Sequence, residues 1–338
     1  DSEGEEGKFF VWDLKDLQQH LASGEAQVFA RHFGVSEEGN FEHGKTVLFL
    51  ADTVSGEELE ILSRAKKKLF DVRKKRIAPG TDDKVLAGWN GLMISGLAWA
   101  SQALRREGRT EASKQAWTAA NSAFDFLVQN LGVPGNRLRA SLKSRLNAYL
   151  DDYAFLSMAA IDLARFEPDS KRVDTLLSQA EGWVSVILKH FSAIEGPGYY
   201  FTSDDHEALI QRPRTIYDQA IPSGTGVTLH CLLALAEMDR NGKRNQWQSE
   251  AERQLARIFP AVDERPFGYG EILNAVLLWL TGPIILSGPN SEEHVFHPFV
   301  FRKDGDVPQL CHQQTCELLR HGAREIEAVI REKTKQRL

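Results

Sequence analysis

The sequence is short of the features that declare a function by themselves. Its 338 residues hold three cysteines and three methionines. No uninterrupted apolar run reaches the ~18 residues of a membrane-spanning helix. No P-loop, GxGxxG, HExxH or GxSxG pattern occurs, so nothing points to a nucleotide, a catalytic zinc or a serine nucleophile, and no cofactor is expected. An excess of basic residues is also missing. Lys and Arg number 41 against 47 Asp and Glu, a net charge of −6, which argues against nucleic acid as a partner, because phosphate binding needs a basic surface. The basic runs Lys66-Lys67-Lys68 and Arg73-Lys74-Lys75-Arg76 fall on a predicted helix and read as a solvated face. The first residues, Asp1 to Gly7, lack an initiator Met and a basic-then-apolar signal pattern. They read as the interior of a longer protein or as a processed form. The expectation is a cytoplasmic location with no membrane partner.

The cysteines divide into two kinds. Cys231 lies in an apolar helical run and reads as a small buried hydrophobe. Cys311 and Cys316 flank four residues that include His312. Unrelated thiols, a local disulfide and half of a metal site are all open for them, and without a second pair no metal site is assigned.

What the chain does contain is one pattern written three times. Asp82-Asp83-Lys84 with Trp89-Asn90-Gly91, then Asp151-Asp152-Tyr153, then Tyr217-Asp218-Gln219 with Ser223-Gly224, each precede an apolar stretch rich in small residues. Asp83 and Asp152 are 69 residues apart, and Asp152 and Asp218 are 66 apart. That period suits a large helix pair with a long connection. Helices are predicted over about 87–106, 111–130, 152–165, 171–192, 224–240, 244–259 and 269–280, with short extended segments near 136–141 and 196–202. Stretches that follow the acidic motifs are apolar around most of their circumference, as buried helices are. Their partners carry one stripe, for example Trp117, Ala120, Phe124, Phe126 and Leu127. Alternating buried and half-buried helices imply an inner and an outer ring, the logic of an α/α toroid, with an open solenoid as the competitor.

Before this series, residues 1–54 are irregular. Strands are expected at Phe9–Trp12 and Thr46–Leu50, helices after the N-cap Asp13 and over about Glu25 to Phe33, and a helix from a Ser55/Glu58 capping box to about Arg76. After Pro283, strand-like runs at 284–288, 299–301 and 309–311 and a polar helix over 316–335 form a small α/β tail. The expected organisation is therefore 1–282 helical hairpins and 283–338 tail.

In a ring of inner helices, alternate ends meet around one mouth, so the three motifs would share a cavity. Carboxylates there can move protons and bind hydroxyls, and aromatic faces suit sugar rings, which together describe a carbohydrate-type pocket. An Asp at a helix start is equally an N-cap and a partner of the helix dipole. A doubled acid allows both roles, one residue capping and the other facing the cavity. Among the ten histidines, His206, within Asp204-Asp205-His206-Glu207, is the candidate base, while His230 reads as a core residue.

Several segments together resemble the spermatogenesis-associated protein 20 family. They are Asp1–Trp12, Gly39-Asn40-Phe41, the three acidic motifs, Phe201-Thr202-Ser203-Asp204-Asp205-His206-Glu207 and Arg212-Pro213. The resemblance implies a mainly α fold. It implies an (α/α)6 toroid of the six-hairpin glycosidase and N-acylglucosamine 2-epimerase type, incomplete in this chain, with a thioredoxin-like domain and the first hairpins upstream. The family's C-terminal cysteine pair resembles Cys311 and Cys316. By that analogy, the expected function is sugar epimerisation or isomerisation on a small carbohydrate. The expected acid/base groups are His206 with Asp152 or Asp218, and the expected pocket residues are Asp83, Trp89, Asn90, Asp151, Tyr153, Tyr217 and Ser223. Two alternatives stand beside it. One is glycoside hydrolysis by Asp152 and Asp218. The other is a non-catalytic binding or redox-partner module for the upstream domain, resting on Cys311 and Cys316.

Overall fold

The computed structural model describes residues 1–54, 56, 58–208, 210–239, 241–288, 297–303, 307, 309–312 and 315–318. They fall into two compact units, residues 1–83 and 84–338, and the strands after Pro283 belong to the second.

The first unit is built on α1 (Leu14–His20), α2 (Ser23–Phe33) and α3 (Glu58–Arg73). Asp13 caps α1 as its sequence position implies: its carboxylate accepts from Asp16 N, and the Asp16 side chain accepts from Asp13 N in return. Gly34 closes α2 in a left-handed conformation, φ 65°. Trp12, Leu17, Phe29, Leu62 and Leu69 form the core. The strands expected at 9–12 and 46–50 reduce to a single bridge, Trp12 to Thr46. Residues 8–10 turn instead, and Arg76 holds this segment by stacking on Trp12 at 4.0 Å and donating to the carbonyls of Phe9 and Val11. Ser55, half of the expected capping box, lies outside the described residues.

The second unit begins with α4 (Ala87–Arg106), α5 (Thr110–Leu131), α6 (Leu150–Phe166) and α7 (Ser170–His190). It continues with α8 (Gly224–Met238), α9 (Arg244–Glu264) and α10 (Gly270–Thr281). Helices α4, α6, α8 and α10 lie side by side in one row, and α5, α7 and α9 pack behind α4, α6 and α8 as hairpin partners. Because each hairpin returns the chain, all four row helices start at the same end. Helices α6 and α8 are buried nearly all round, as their composition implies, and each fully buried Leu, Ile or Phe there is worth about 1.5–3 kcal/mol. Helix α4 departs from that expectation. Its Trp89 and Met93 are 65% and 62% exposed, because among the described residues of this unit α4 has a row neighbour on one side only. In α5 the stripe is Ser113, Ala120, Phe124, Leu127 and Leu131, and Phe126 points to solvent. Helix α9 runs through Pro260 to Glu264 instead of stopping at Phe259. Buried Ile258 and Val262 continue its apolar stripe across the proline, and that burial offsets the lost hydrogen bond.

Short strands β1 (Gly132–Val133) and β2 (Arg137–Leu138) pair antiparallel after α5. The tail is a four-stranded sheet of β3 (Ile284–Ser287), β4 (Val300–Lys303), β5 (Gln309–His312) and β6 (Thr315–Leu318), in the order β4-β3-β5-β6. Only the β3–β4 pair is parallel. Residues 316–318 are thus strand, not the start of the expected helix, whose remaining residues lie outside the described ones. The sheet is pinned to α6 by Arg165. Its Nη1 donates to the carbonyls of Pro298 and Val300, its guanidinium lies 4.1 Å from the Phe301 ring centre, and its Nε sits 3.7 Å from Asp162. Burial pushes the Asp162 carboxyl up and the Arg165 guanidinium down.

Candidate functional site at the helix N-termini

The first N–H groups of a helix have no partner within the helix, and the row presents four such ends side by side. The motif acids satisfy them across helices. Asp152 Oδ1 accepts from Gly88 N of α4 at 2.7 Å, and its Oδ2 accepts from Tyr149 N at the start of its own helix at 2.9 Å. Asp151 reaches the other way and takes a backbone hydrogen bond from Gly224, the first residue of α8. Asp218 Oδ1 accepts from Ser223 N at 2.8 Å, and its Oδ2 accepts from Glu271 N of α10 at 2.9 Å. Three carboxylates therefore link α4 to α6, α6 to α8, and the α8 entry to α10. Glycine at these joints permits the approach: a Cβ at Gly88 would stand 3.0 Å from Asp152 Oδ1, and one at Gly224 would collide with Asp151 Oδ1.

The two adjacent acids of α6 differ in what they have left. Asp152 is buried with both oxygens engaged, and burial lifts its carboxyl to about 6 against the pull of two backbone N–H bonds. Asp151 is lifted to about 6 by burial as well, with the Gly224 N–H as the only opposing bond. No other hydrogen bond engages Asp151 among the described residues, so one of its oxygens has no donor facing it. Asp218 has neither oxygen free of a backbone donor.

The remaining candidates are spread among several roles. Ser223 is the N-cap of α8, its Oγ accepting from Gly226 N. Asn90 donates to the Leu86 carbonyl at 2.8 Å. Tyr153 is fully buried, and its hydroxyl accepts from Leu138 N at 2.9 Å and Arg137 Nε at 3.2 Å, so it anchors β2. Trp89 and Tyr217 are largely exposed. Asp83 is exposed at the end of the first unit. His206 packs its ring 5.1 Å from Tyr149, which itself stacks on Phe201 at 4.9 Å. His206 Nε2 lies 3.3 Å from the Asn147 carbonyl, and Nδ1 is buried without a partner. A carbonyl can only accept, so Nε2 is the donor in that contact.

Two features were missed in the sequence. Arg137 forms a two-pronged ion pair with Asp205, at 2.6 and 2.7 Å, and also donates to Ser203. That fork holds the Asp205 carboxyl well below the usual range. A lone Arg in a short extended segment carries no signal of this. Deeper in the row, His230 Nδ1 of α8 lies 3.4 Å from Glu271 Oε1 of α10. Only the helical phase of His230 hinted at it. His190, Asp204 and Asp205 cluster as metal ligands can. The His190–Asp204 hydrogen bond at 2.7 Å and the Arg137–Asp205 ion pair account for that cluster. Cavities of about 380 and 220 Å³ lie along the row, lined by residues such as Ser101, Gln102 and Arg105, and Leu233, Glu237 and Leu278. The motif acids line neither. In the first unit an open cleft of about 850 Å³ is lined by the segments 2–11 and 41–45 with Arg76. Its rim residues Glu3 and His43 take left-handed backbone at φ 55° and 56°.

The architecture defines a class: mainly helical, with stacked α-hairpins whose leading ends are joined by acidic side chains, plus a small sheet. Relatives place it further. The chain is 28% identical to spermatogenesis-associated protein 20 of Rattus norvegicus over 274 residues, covering 68% of this chain and 33% of the rat protein. It is 29% identical to the Mus musculus protein of that name at the same coverage. An uncharacterised protein of Caenorhabditis elegans is 26% identical over 323 residues, 85% of this chain and 42% of its own. No protein-family profile matches. The chain is thus similar to spermatogenesis-associated protein 20 of three mammals, in line with its motifs, and spans about a third of the length of these relatives.

Proposed function

We propose that the junction of α6 and α8 carries acid/base chemistry on a small polyhydroxylated carbonyl compound, of the sugar epimerase or isomerase kind. The observation behind this reading is Asp151: a carboxyl near pKa 6 with one open oxygen, held by Gly224 at the head of a buried helix. A group with that pKa can take a proton and return it near neutral pH, which removing and restoring a proton beside a carbonyl requires. The catalytic role thus moves from Asp152 and Asp218 to their neighbour, and those two hold the helix ends that position it. Glycoside hydrolysis by Asp152 and Asp218 is less favoured, since each spends both oxygens on backbone donors.

Incubation with aldoses and ketoses in deuterated water tests the reading. Deuterium should appear at the carbon next to the carbonyl, and Asp151→Asn should slow its appearance by about 10²–10⁴-fold. Exchange that is absent with every sugar tried, or unchanged in the variant, would remove the proposal.

A further inference from the structure

Cys311 and Cys316 are joined by a disulfide between directly opposed residues of β5 and β6. Of the three readings open in the sequence, the local disulfide is the one formed. Its surroundings make it an unusual place for a structural bond. The strands are already held by the ladder Gln309–Leu318, Leu310–Glu317 and His312–Thr315, and β5 is paired along its length with β3. Leu310 is fully buried, and His312 Nε2 lies 2.8 Å from the Thr281 carbonyl. The hairpin is therefore anchored without the sulfurs. The bond also closes a very short loop, five residues in sequence, where the loss of chain entropy in the unfolded state is smallest. Accessibility is the second observation: Cys316 is exposed on β6, whose four side chains are all exposed, and Cys311 on β5 is half-buried.

We propose that Cys311–Cys316 is a thiol–disulfide exchange site that trades two electrons with a protein dithiol. The partner's thiolate attacks Sγ of exposed Cys316, the sulfur–sulfur bond breaks, and Cys311 leaves as a thiolate that takes up a proton. The partner's second thiol then attacks the mixed disulfide and releases the Cys316 thiolate, which is protonated in turn. The partner ends as a disulfide, and this chain holds two thiols. The fold survives the cycle because the ladder and the Leu310 anchor remain. Cys231 takes no part: it is buried in α8, and burial together with the Asp162 and Glu271 carboxylates pushes its thiol well up, so little of the reactive thiolate forms.

The test uses the full 338-residue chain with dithiothreitol as the dithiol and glutathione as a monothiol control, counting thiols by maleimide mass shift in native buffer. The expected result is two labelled thiols after dithiothreitol, none at Cys231, an unchanged helical circular dichroism signal, and full return to the disulfide with oxidised glutathione. With oxidised glutathione, the free Cys316 thiolate of Cys311→Ser should attack the glutathione disulfide, releasing one reduced glutathione, and form its adduct at least about tenfold faster than Cys311 does in Cys316→Ser, following the access of each protein sulfur. Reduction that needs denaturant, reduction that exposes the β5 amides to hydrogen exchange, or equal trapping in both variants would overturn the proposal. A chain that keeps both thiols free under oxidised glutathione would do so as well.

Discussion

Asp151 and Asp152 stand next to each other on one helix turn and do different work, because their oxygens meet different donors. Both carboxyls are raised to about 6 by burial, which has a consequence for stability. The unfolded chain gives up these protons near pH 4 and the folded chain near pH 6, so between those values the native state binds more protons than the unfolded one. Stability therefore falls as pH rises through that window, by up to about 3 kcal/mol per group for a two-unit shift, and is level above it. Urea titrations at pH 4, 5, 6 and 7 measure the slope. Asp151→Asn should flatten it and stabilise the fold at pH 7, since it removes a buried charge while keeping an acceptor for Gly224. Asp152→Asn should instead destabilise the fold by about 1–3 kcal/mol, because a single amide oxygen cannot serve both Gly88 N and Tyr149 N and one buried donor loses its partner. A destabilised Asp151→Asn protein would show that Asp151 is also purely a staple.

At the scale of elements, the row depends on how closely α4 and α6 approach. A Cβ at Gly91 would meet the backbone of Phe155 and Leu156 at 2.8–2.9 Å, whereas one at Gly96 would meet nothing within 4 Å. Helix propensity alone favours alanine at both positions by about 1 kcal/mol. The prediction is opposite signs: Gly96→Ala stabilises by roughly that amount, and Gly91→Ala destabilises by about 1–3 kcal/mol through overpacking. Chemical denaturation of the two variants decides it, and equal effects would mean the two helices can separate without cost. The same close approach explains why the stretches after the acidic motifs are rich in small residues, which their composition announced without saying which faces needed them.

At the scale of the molecule, the two units are joined by residues 77–85, an exposed coil over most of its length. Limited trypsin digestion should cut first at Lys84 and leave fragments close to the two units, read by mass spectrometry. Early cleavage inside α6, at the buried Arg165, would show that the second unit is not a stable body. Among the described residues no helix is long and apolar enough to cross a membrane.

Helix positions in the second unit were legible to within a few residues, because burial of one face imposes a 3.6-residue period that survives in composition. Three of the four tail strands were legible for a similar reason, as short apolar runs between turn residues, whereas polar, exposed β6 was misread as the start of a helix. Strands at 9–12 and 46–50 were misread, since an apolar run of four or five residues reads the same whether it pairs with a neighbour or turns to wrap a core. The acidic motifs marked the helix starts correctly, and the sequence by itself determined that carboxylates would gather at those ends. Only the tertiary structure decided which acid holds a neighbouring helix and which keeps an oxygen open. That choice turns on the distance from each carboxylate to the N–H groups of the next helix, a relation between residues some 60 positions apart that no local spacing encodes. The disulfide follows the same logic: two cysteines five apart are compatible with several fates, and the register of β5 on β6 selects one.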